Sequence, residues 1–249
     1  MKIILLSFLV FISQKSFSQQ NTYTFNNSKF FNETDIKKSF ESIKKSMGST
    51  YLITTVIYHK VVKNDTIVNY VSFQINKKDS GQEPSDFKLV YKQDSTFLLL
   101  NKKLPYFKLK GLSGGEISLD QLLGKPTLIN FWATYCGPCI AEMPQLSRLK
   151  ERYKDKMNFI SITENNAVSD NLKDFLKDKD FNFEILENAI TYKRKLKIDA
   201  IPKNLFLDKD GVLKYIEGNY PLGNGGTPID IDDEKNLFTK IIKELISKE

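Results

Sequence analysis

Hydrophobic and polar positions along the chain follow two regimes. From Glu33 to Met47 the apolar residues Ile36, Phe40, Ile43 and Met47 recur at helical spacing, and Gly48 can end the helix. The period then shortens. Tyr51 to Val62 and Thr66 to Ile75 are β-branched and aromatic runs separated by Lys63-Asn64-Asp65, which reads as a hairpin turn. Phe87 to Tyr91 and Ser95 to Leu100 read as a second strand pair around Gln93-Asp94. Residues 19–33, rich in Asn, Gln, Ser and Thr, read as a loose segment, and 78–85 as a polar loop containing Gly81 and Pro84. One helix followed by antiparallel strands predicts a small α+β unit over 19–100. His59 falls in one of its strands and reads as a surface or edge histidine.

Beyond Asn101 strands and helices alternate. Lys110 to Ser118 reads as a hairpin around Ser113-Gly114-Gly115. Pro126 to Trp132 is apolar except for Thr127 and Asn130, as a strand buried on both faces requires. Helices are predicted over 138–153, 171–177 and 189–196, and strands over 157–163, 183–186, 203–207 and 212–217. Leu237, Ile241, Ile242 and Leu245 mark a last amphipathic helix. This order predicts an α/β domain over 101–249, a sheet with helices on both faces.

The first 18 residues follow a different pattern. A positive start at Met1-Lys2 precedes an apolar run from Ile3 to Ile12 broken only by Ser7, and Ser16 and Ser18 flank Phe17. That is the three-part pattern of a secretory signal cleaved after Ser18, and the run is short for a membrane span. An uncleaved anchor is the competing reading. Residues 1–18 are thus expected to direct export to the periplasm.

Composition narrows the function classes. The 249 residues are 41% hydrophobic and 27% charged, a globular balance. The formal charge is +7, falling to +5 once Lys2 and Lys15 leave with the signal. Arg148, Arg152 and Arg194 are the sole arginines, and the lysines are interspersed with acids, so no nucleic-acid partner is expected. Export leads to a compartment where disulfides persist, yet Cys136 and Cys139 are the only cysteines. They are too few for a stapled scaffold. With the distant His59 they also fall short of four zinc ligands, so no metal and no other cofactor is expected.

The cysteines lie in Phe131-Trp132-Ala133-Thr134-Tyr135-Cys136-Gly137-Pro138-Cys139, where the buried strand hands over to a helix. Pro138 suits a first helical turn. Free backbone N–H groups and the helix dipole there favour a Cys136 thiolate, the attacking species in disulfide exchange. Cys139, one turn on, is close enough to close a ring with it. Glu142, three residues further, returns to nearly the same face and could take the proton Cys139 must lose. Burial would raise its pKa towards the working pH.

Residues from about 104 to 249 resemble the TlpA/ResA type of thioredoxin-like exported disulfide reductase. The resemblance rests on Leu104-Pro105-Tyr106-Phe107, Gly124-Lys125-Pro126, Asn130-Phe131-Trp132-Ala133, Cys136-Gly137-Pro138-Cys139, Glu142 with Pro144, Ile201-Pro202 and Asp208-Lys209-Asp210-Gly211. It implies a thioredoxin-like α/β fold, a central mixed sheet with helices on both faces, with Cys136 as nucleophile, Cys139 as resolving cysteine and a redox disulfide between them. It also implies that Pro202 follows a cis peptide bond facing the cysteines, and that Ile201 offers its backbone to an extended client. Glu142 matches the acid beneath the cysteines, where many thioredoxins use an aspartate at the position of Asn130. Trp132 and Tyr135 are the aromatic candidates for client contact, although Tyr135 stands where most relatives have Trp. Lys203 stands where Thr is common; its charge either favours the Cys136 thiolate or points to solvent. Residues 19–100 match no family.

The function this implies is a thiol–disulfide oxidoreductase reducing disulfides of exported proteins. Its Gly-Pro spacer and Ile201 look like thioredoxin, at about −270 mV, rather than an oxidant at about −120 mV. Clients would include apocytochromes c, and electrons would come from a membrane-embedded donor. Two alternatives remain: a thiol peroxidase of the same superfamily, whose Pro-x-x-x-Thr-x-x pattern is lacking at Ala133 to Tyr135, and a metal chaperone or assembly adaptor that uses the N-terminal unit.

Overall fold

The structure, a computed structural model, describes residues 19–247 except 26–28, 64, 80, 84–85 and 224–225. The predicted signal segment lies outside the described residues, as do Asn64 of the first hairpin turn and part of the 78–85 loop. The chain divides into two compact units between Gln93 and Asp94.

In the first unit, strands β1 (Gln20–Thr24), β2 (Tyr51–Lys63), β3 (Thr66–Lys77) and β4 (Leu89–Tyr91) form one sheet in the order β1-β3-β2-β4. Helix α1 (Glu33–Met47) has the predicted limits. Asn32 caps it, accepting from Asp35 N–H at 2.9 Å, and Gly48 ends it with φ 71°. Its apolar face buries Ile36, which shares a cluster with Tyr23, Ile57 and Val71. Two expectations fail here. The polar run at 20–24 is a strand because it pairs in parallel with β3, a long-range partner that local composition does not reveal. Leu89–Tyr91 pairs in parallel with β2 and not with Ser95 to Leu100.

In the second unit, Ser95–Leu99 is a 3₁₀ helix, which corrects the expected strand. The Asp94 carboxylate caps it by accepting from Thr96 N–H at 2.9 Å, and Phe97 is buried. A small hairpin, β5 (Lys108–Lys110) with β6 (Glu116–Ser118), turns through Gly114 and Gly115 at positive φ, as Ser-Gly-Gly requires. The main sheet has the order β11-β10-β7-β8-β9, formed by β7 (Thr127–Trp132), β8 (Asn158–Thr163), β9 (Glu184–Leu186), β10 (Lys203–Leu207) and β11 (Leu213–Glu217). β7, β8 and β9 run parallel, and β10 is antiparallel to both of its neighbours. It is a mixed sheet, as expected.

Helices α2 (Gly137–Tyr153), α3 (Leu172–Lys177), α4 (Ile190–Lys195) and α5 (Leu237–Ile246) complete the unit. Leu146 and Leu149 of α2 share a core with Leu128, Phe206 and Phe238, Ile241, Ile242 of α5. Successive residues of a strand face opposite ways, so the other face carries Ile129, Phe131, Leu205 and Leu207, all buried. Every residue of β7 is buried. The apolar run therefore reads as predicted, and it fixes where the cysteine segment leaves the sheet. Among the described residues, no helix is long and apolar enough to cross a membrane.

Candidate active site

β7 ends at Trp132, and α2 begins five residues later, with Cys136 as its N-cap residue. Pro138 sits in the first turn, where a missing N–H breaks no helical bond. Cys136 and Cys139 form a disulfide, with Cα atoms 5.3 Å apart. Cys139 N–H points at the Cys136 sulfur at 3.3 Å, so a free amide of the helix start is directed at the sulfur expected to react. The two sulfurs differ in access. Cys136 is 8% exposed and Cys139 1%.

Ile201–Pro202 is a cis peptide, and Ile201 packs on the apolar cluster that holds both cysteines, Trp132 and Met143. Trp132 itself is 1% exposed, stacked on Phe175 and edge-on to Phe181. It supports the cysteine segment from beneath, and its side chain offers a client no surface in this oxidised state. Tyr135 is 69% exposed and does offer one. Its hydroxyl donates to Glu164 at 2.5 Å, and Glu164 in turn pairs with Lys193 at 2.7 Å. That bond to a carboxylate pushes the Tyr135 pKa up.

Lys203 follows neither expectation. Its ammonium is paired with Asp94, 2.5 Å away, and the residue is buried. Register explains this: Lys203 opposes Phe131 on β7, so it faces away from α2, whose start carries Cys136. Burial pushes the Asp94 carboxyl up, but the Lys203 charge and the Thr96 N–H together hold it below its ordinary value.

Glu142 lies on the opposite side of β10, on α2 three residues after Cys139. It is 4% exposed and makes no ion pair with a described residue. Oε1 accepts from Asn130 Nδ2 at 2.8 Å and Asn204 Nδ2 at 3.4 Å, and Oε2 from Tyr220 N–H at 2.7 Å. Burial pushes its pKa up to about 7, and these three donors oppose the rise. Asn130 and Asn204 are register partners on β7 and β10, joined at 3.0 Å. Sequence reasoning noted Asn130 as a non-titrating substitute and missed Asn204 and Asp94. Asn204 did leave a weaker signal, an amide at the head of the apolar run Leu205-Phe206-Leu207, whereas Asn130 lies within its own run.

The arrangement can exchange a disulfide: a cysteine at a helix start, a more deeply buried partner one turn on, and a buried carboxyl whose pKa burial pushes up to about 7. Among the described residues, no group of three metal-ligating side chains exists. Known proteins are similar to this part of the chain. A family model described as the AhpC/TSA family matches residues 100–216. The thioredoxin-like protein YneN of Bacillus subtilis (strain 168) is 33% identical over 117 residues, 46% of this chain and 69% of that protein. The thiol-disulfide oxidoreductase ResA of Bacillus cereus (strain ZK / E33L) is 30% identical over 119 residues, 47% of this chain and 69% of its own. An exposed lipoprotein thioredoxin of Streptococcus pneumoniae strain TIGR4 is 20% identical over 56% of this chain and 99% of that structure, with a TM-score of 0.45.

Proposed function

This chain belongs to the ResA-type thioredoxin-like thiol–disulfide oxidoreductases, and we propose that it works in the reducing direction on exported proteins. The observation that carries the reading is the unequal burial of two cysteines at one helix start, Cys136 at 8% exposure and Cys139 at 1%. In the reduced enzyme, the Cys136 thiolate attacks a client disulfide, forming a mixed disulfide and releasing one client thiolate. The Cys139 thiol gives its proton to the Glu142 carboxylate, and its sulfur attacks Cys136. The second client sulfur leaves as a thiolate, and the Cys136–Cys139 disulfide remains. Two electrons pass to the client, and the enzyme ends in the state described.

The client lies as an extended strand against the backbone at Ile201, with Pro202 shaping the groove and exposed Tyr135 beside it. Clients are exported proteins, apocytochromes c among them, and the signal pattern at 1–18 supports a periplasmic site of action. A membrane-embedded dithiol donor returns the two electrons, because the compartment is oxidising.

Insulin reduction with dithiothreitol, run beside equilibration with glutathione, tests the reading. The expected result is catalysed reduction and a potential more negative than about −180 mV, from the Gly-Pro spacer and Ile201. A potential near about −120 mV would reverse the proposed direction. Peroxide consumption without insulin reduction would favour the peroxidase. Mixed disulfides held by Cys139→Ser in cells identify the clients.

A further inference from the structure

The Glu142 site is built with its hydrogen-bond donors all turned one way. The Gly218 carbonyl can only accept, so the Asn204 atom 2.6 Å from it is the amide nitrogen. That fixes Asn204 Oδ1 toward Asn130, whose Nδ2 donates to it at 3.0 Å and to Glu142 Oε1 at 2.8 Å. The remaining Asn204 proton is directed at Glu142 Oε1, 3.4 Å away, and the Tyr220 N–H takes Oε2. Donors therefore meet both carboxyl oxygens, and no acceptor is aimed at either. An ionised carboxylate suits such a site. A neutral acid does not, because its O–H must donate.

We propose that Asn204 is a positioning residue for the exchange reaction: locked by the Gly218 carbonyl, it holds its own amide and that of Asn130 as donors to Glu142 and so favours the ionised carboxylate that receives the Cys139 proton. The proposal rests on the reading of Glu142 as proton acceptor. When Glu142 takes the proton, its O–H needs an oxygen. Turning over the Asn204 amide supplies Oδ1, but it breaks the bond to Gly218 and the one from Asn130. Proton uptake thus loosens a tie between β10, two residues beyond Pro202, and the segment that follows β11. The titratable groups around Glu142 are Cys139 one turn earlier on α2, Tyr220 after β11, and Glu217, which opposes Asn204 in the β10–β11 register. Lys203 and Asp94 face the other side of β10.

The test is the titration of the Glu142 carboxyl by difference infrared spectroscopy in the oxidised protein, with Glu142→Gln assigning the band. Asn204→Ser frees Asn130 to turn and accept, and it should raise the midpoint by about one pH unit. Asn204→Asp keeps the shape, replaces donor by acceptor and should move the midpoint the same way, giving a second reading should the serine variant fold poorly. The pH profile of client release, measured by stopped flow on the reduced enzyme, should shift with it. In a Glu142→Gln background, Asn204→Ser should no longer move that profile. An unmoved or lowered Glu142 midpoint in the folded variants overturns the role of Asn204. A raised midpoint with an unmoved release profile leaves Asn204 holding Glu142 and overturns the proton-acceptor reading instead.

Discussion

The two faces of β10 bury charge in opposite ways. On one face Asn204 reaches Glu142, a lone carboxyl met only by neutral amides and a backbone N–H. On the other, one residue earlier, Lys203 meets Asp94 and both charges are neutralised on the spot. The strand and the neighbouring β7 are the same; Glu142 is the deeper carboxyl, at 4% exposure against 25% for the Asp94 side chain, and the partners differ in kind. A buried ion held by neutral dipoles keeps a proton affinity that burial has moved into the working range. A buried ion beside its counter-charge is held ionised, and it contributes structure rather than a proton. The α2 face is thus the side that can switch, and the opposite face is the side that is fixed.

The largest expected effect separates the faces by pH. The Glu142 carboxyl sits at about 7 in the folded chain against 4.5 when free. A raised acid makes the folded state bind more protons, so its stabilising contribution is complete below pH 4.5 and is lost as pH rises through 7. The loss amounts to roughly 3 kcal/mol. Urea unfolding of the oxidised protein from pH 4.5 to 8 measures it, because the disulfide removes both cysteines from the titration. Glu217, half-buried at the end of the same row, is also pushed up by burial and contributes to both proteins. The difference between wild type and Glu142→Gln therefore isolates Glu142. Parallel curves would mean that the carboxyl is not held as described.

Breaking the fixed face gives a smaller effect with the opposite sign. Lys203→Met leaves Asp94 ionised and partly buried; because its side chain keeps 25% exposure, the cost at pH 7 should be about 2 kcal/mol. Asp94 is held below its free value of 3.8, so the pair's contribution is present above that pH and is lost as pH falls through the lowered value. The variant's deficit should therefore shrink at the acid end, where wild type loses the same bond. Equilibrium unfolding at pH 3 and pH 7 checks this. The pH profile of client release should stay where it was, and a shift would show that the two faces are coupled.

What was legible in the sequence follows the range of the interactions. Helix α1, strand β7 and the cysteine turn are set by local signals, namely periodicity, a Gly stop and Pro138 in a first turn, and all three lie where the pattern placed them. Ser95–Leu99 misled because Ser-Thr-Phe-Leu-Leu is strand-like in composition, while the cap from Asp94 decides for a 3₁₀ turn. The Lys203–Asp94 pair spans 109 positions, and the Asn204–Glu142 contact spans 62. Neither could be read before the register of β7, β10 and α2 was known. The buried place of Trp132 likewise comes from Phe175 and Phe181, which arrive from a later part of the chain.

The smallest effect belongs to a third arrangement, at the solvent rim beside Cys136. Tyr135 donates to Glu164, and Glu164 is held below its ordinary value first by the bond from Lys193 and then by that from Tyr135. Tyr135→Phe keeps the exposed ring and removes only the hydroxyl, so Lys193 still holds the carboxylate. Water screens an exposed bond of this kind, and the stability change should stay below about 0.5 kcal/mol at any pH from 5 to 8. Tyr135→Ala removes the ring as well. If the ring contacts the client, that variant should raise KM a few-fold, in line with the ~1 kcal/mol cost of losing a peripheral contact, and leave kcat and its pH profile alone. The two variants together separate surface from chemistry. A release profile displaced by Tyr135→Phe would place the rim in the same proton network as Glu142 and would erase the distinction between a switching face and its surroundings.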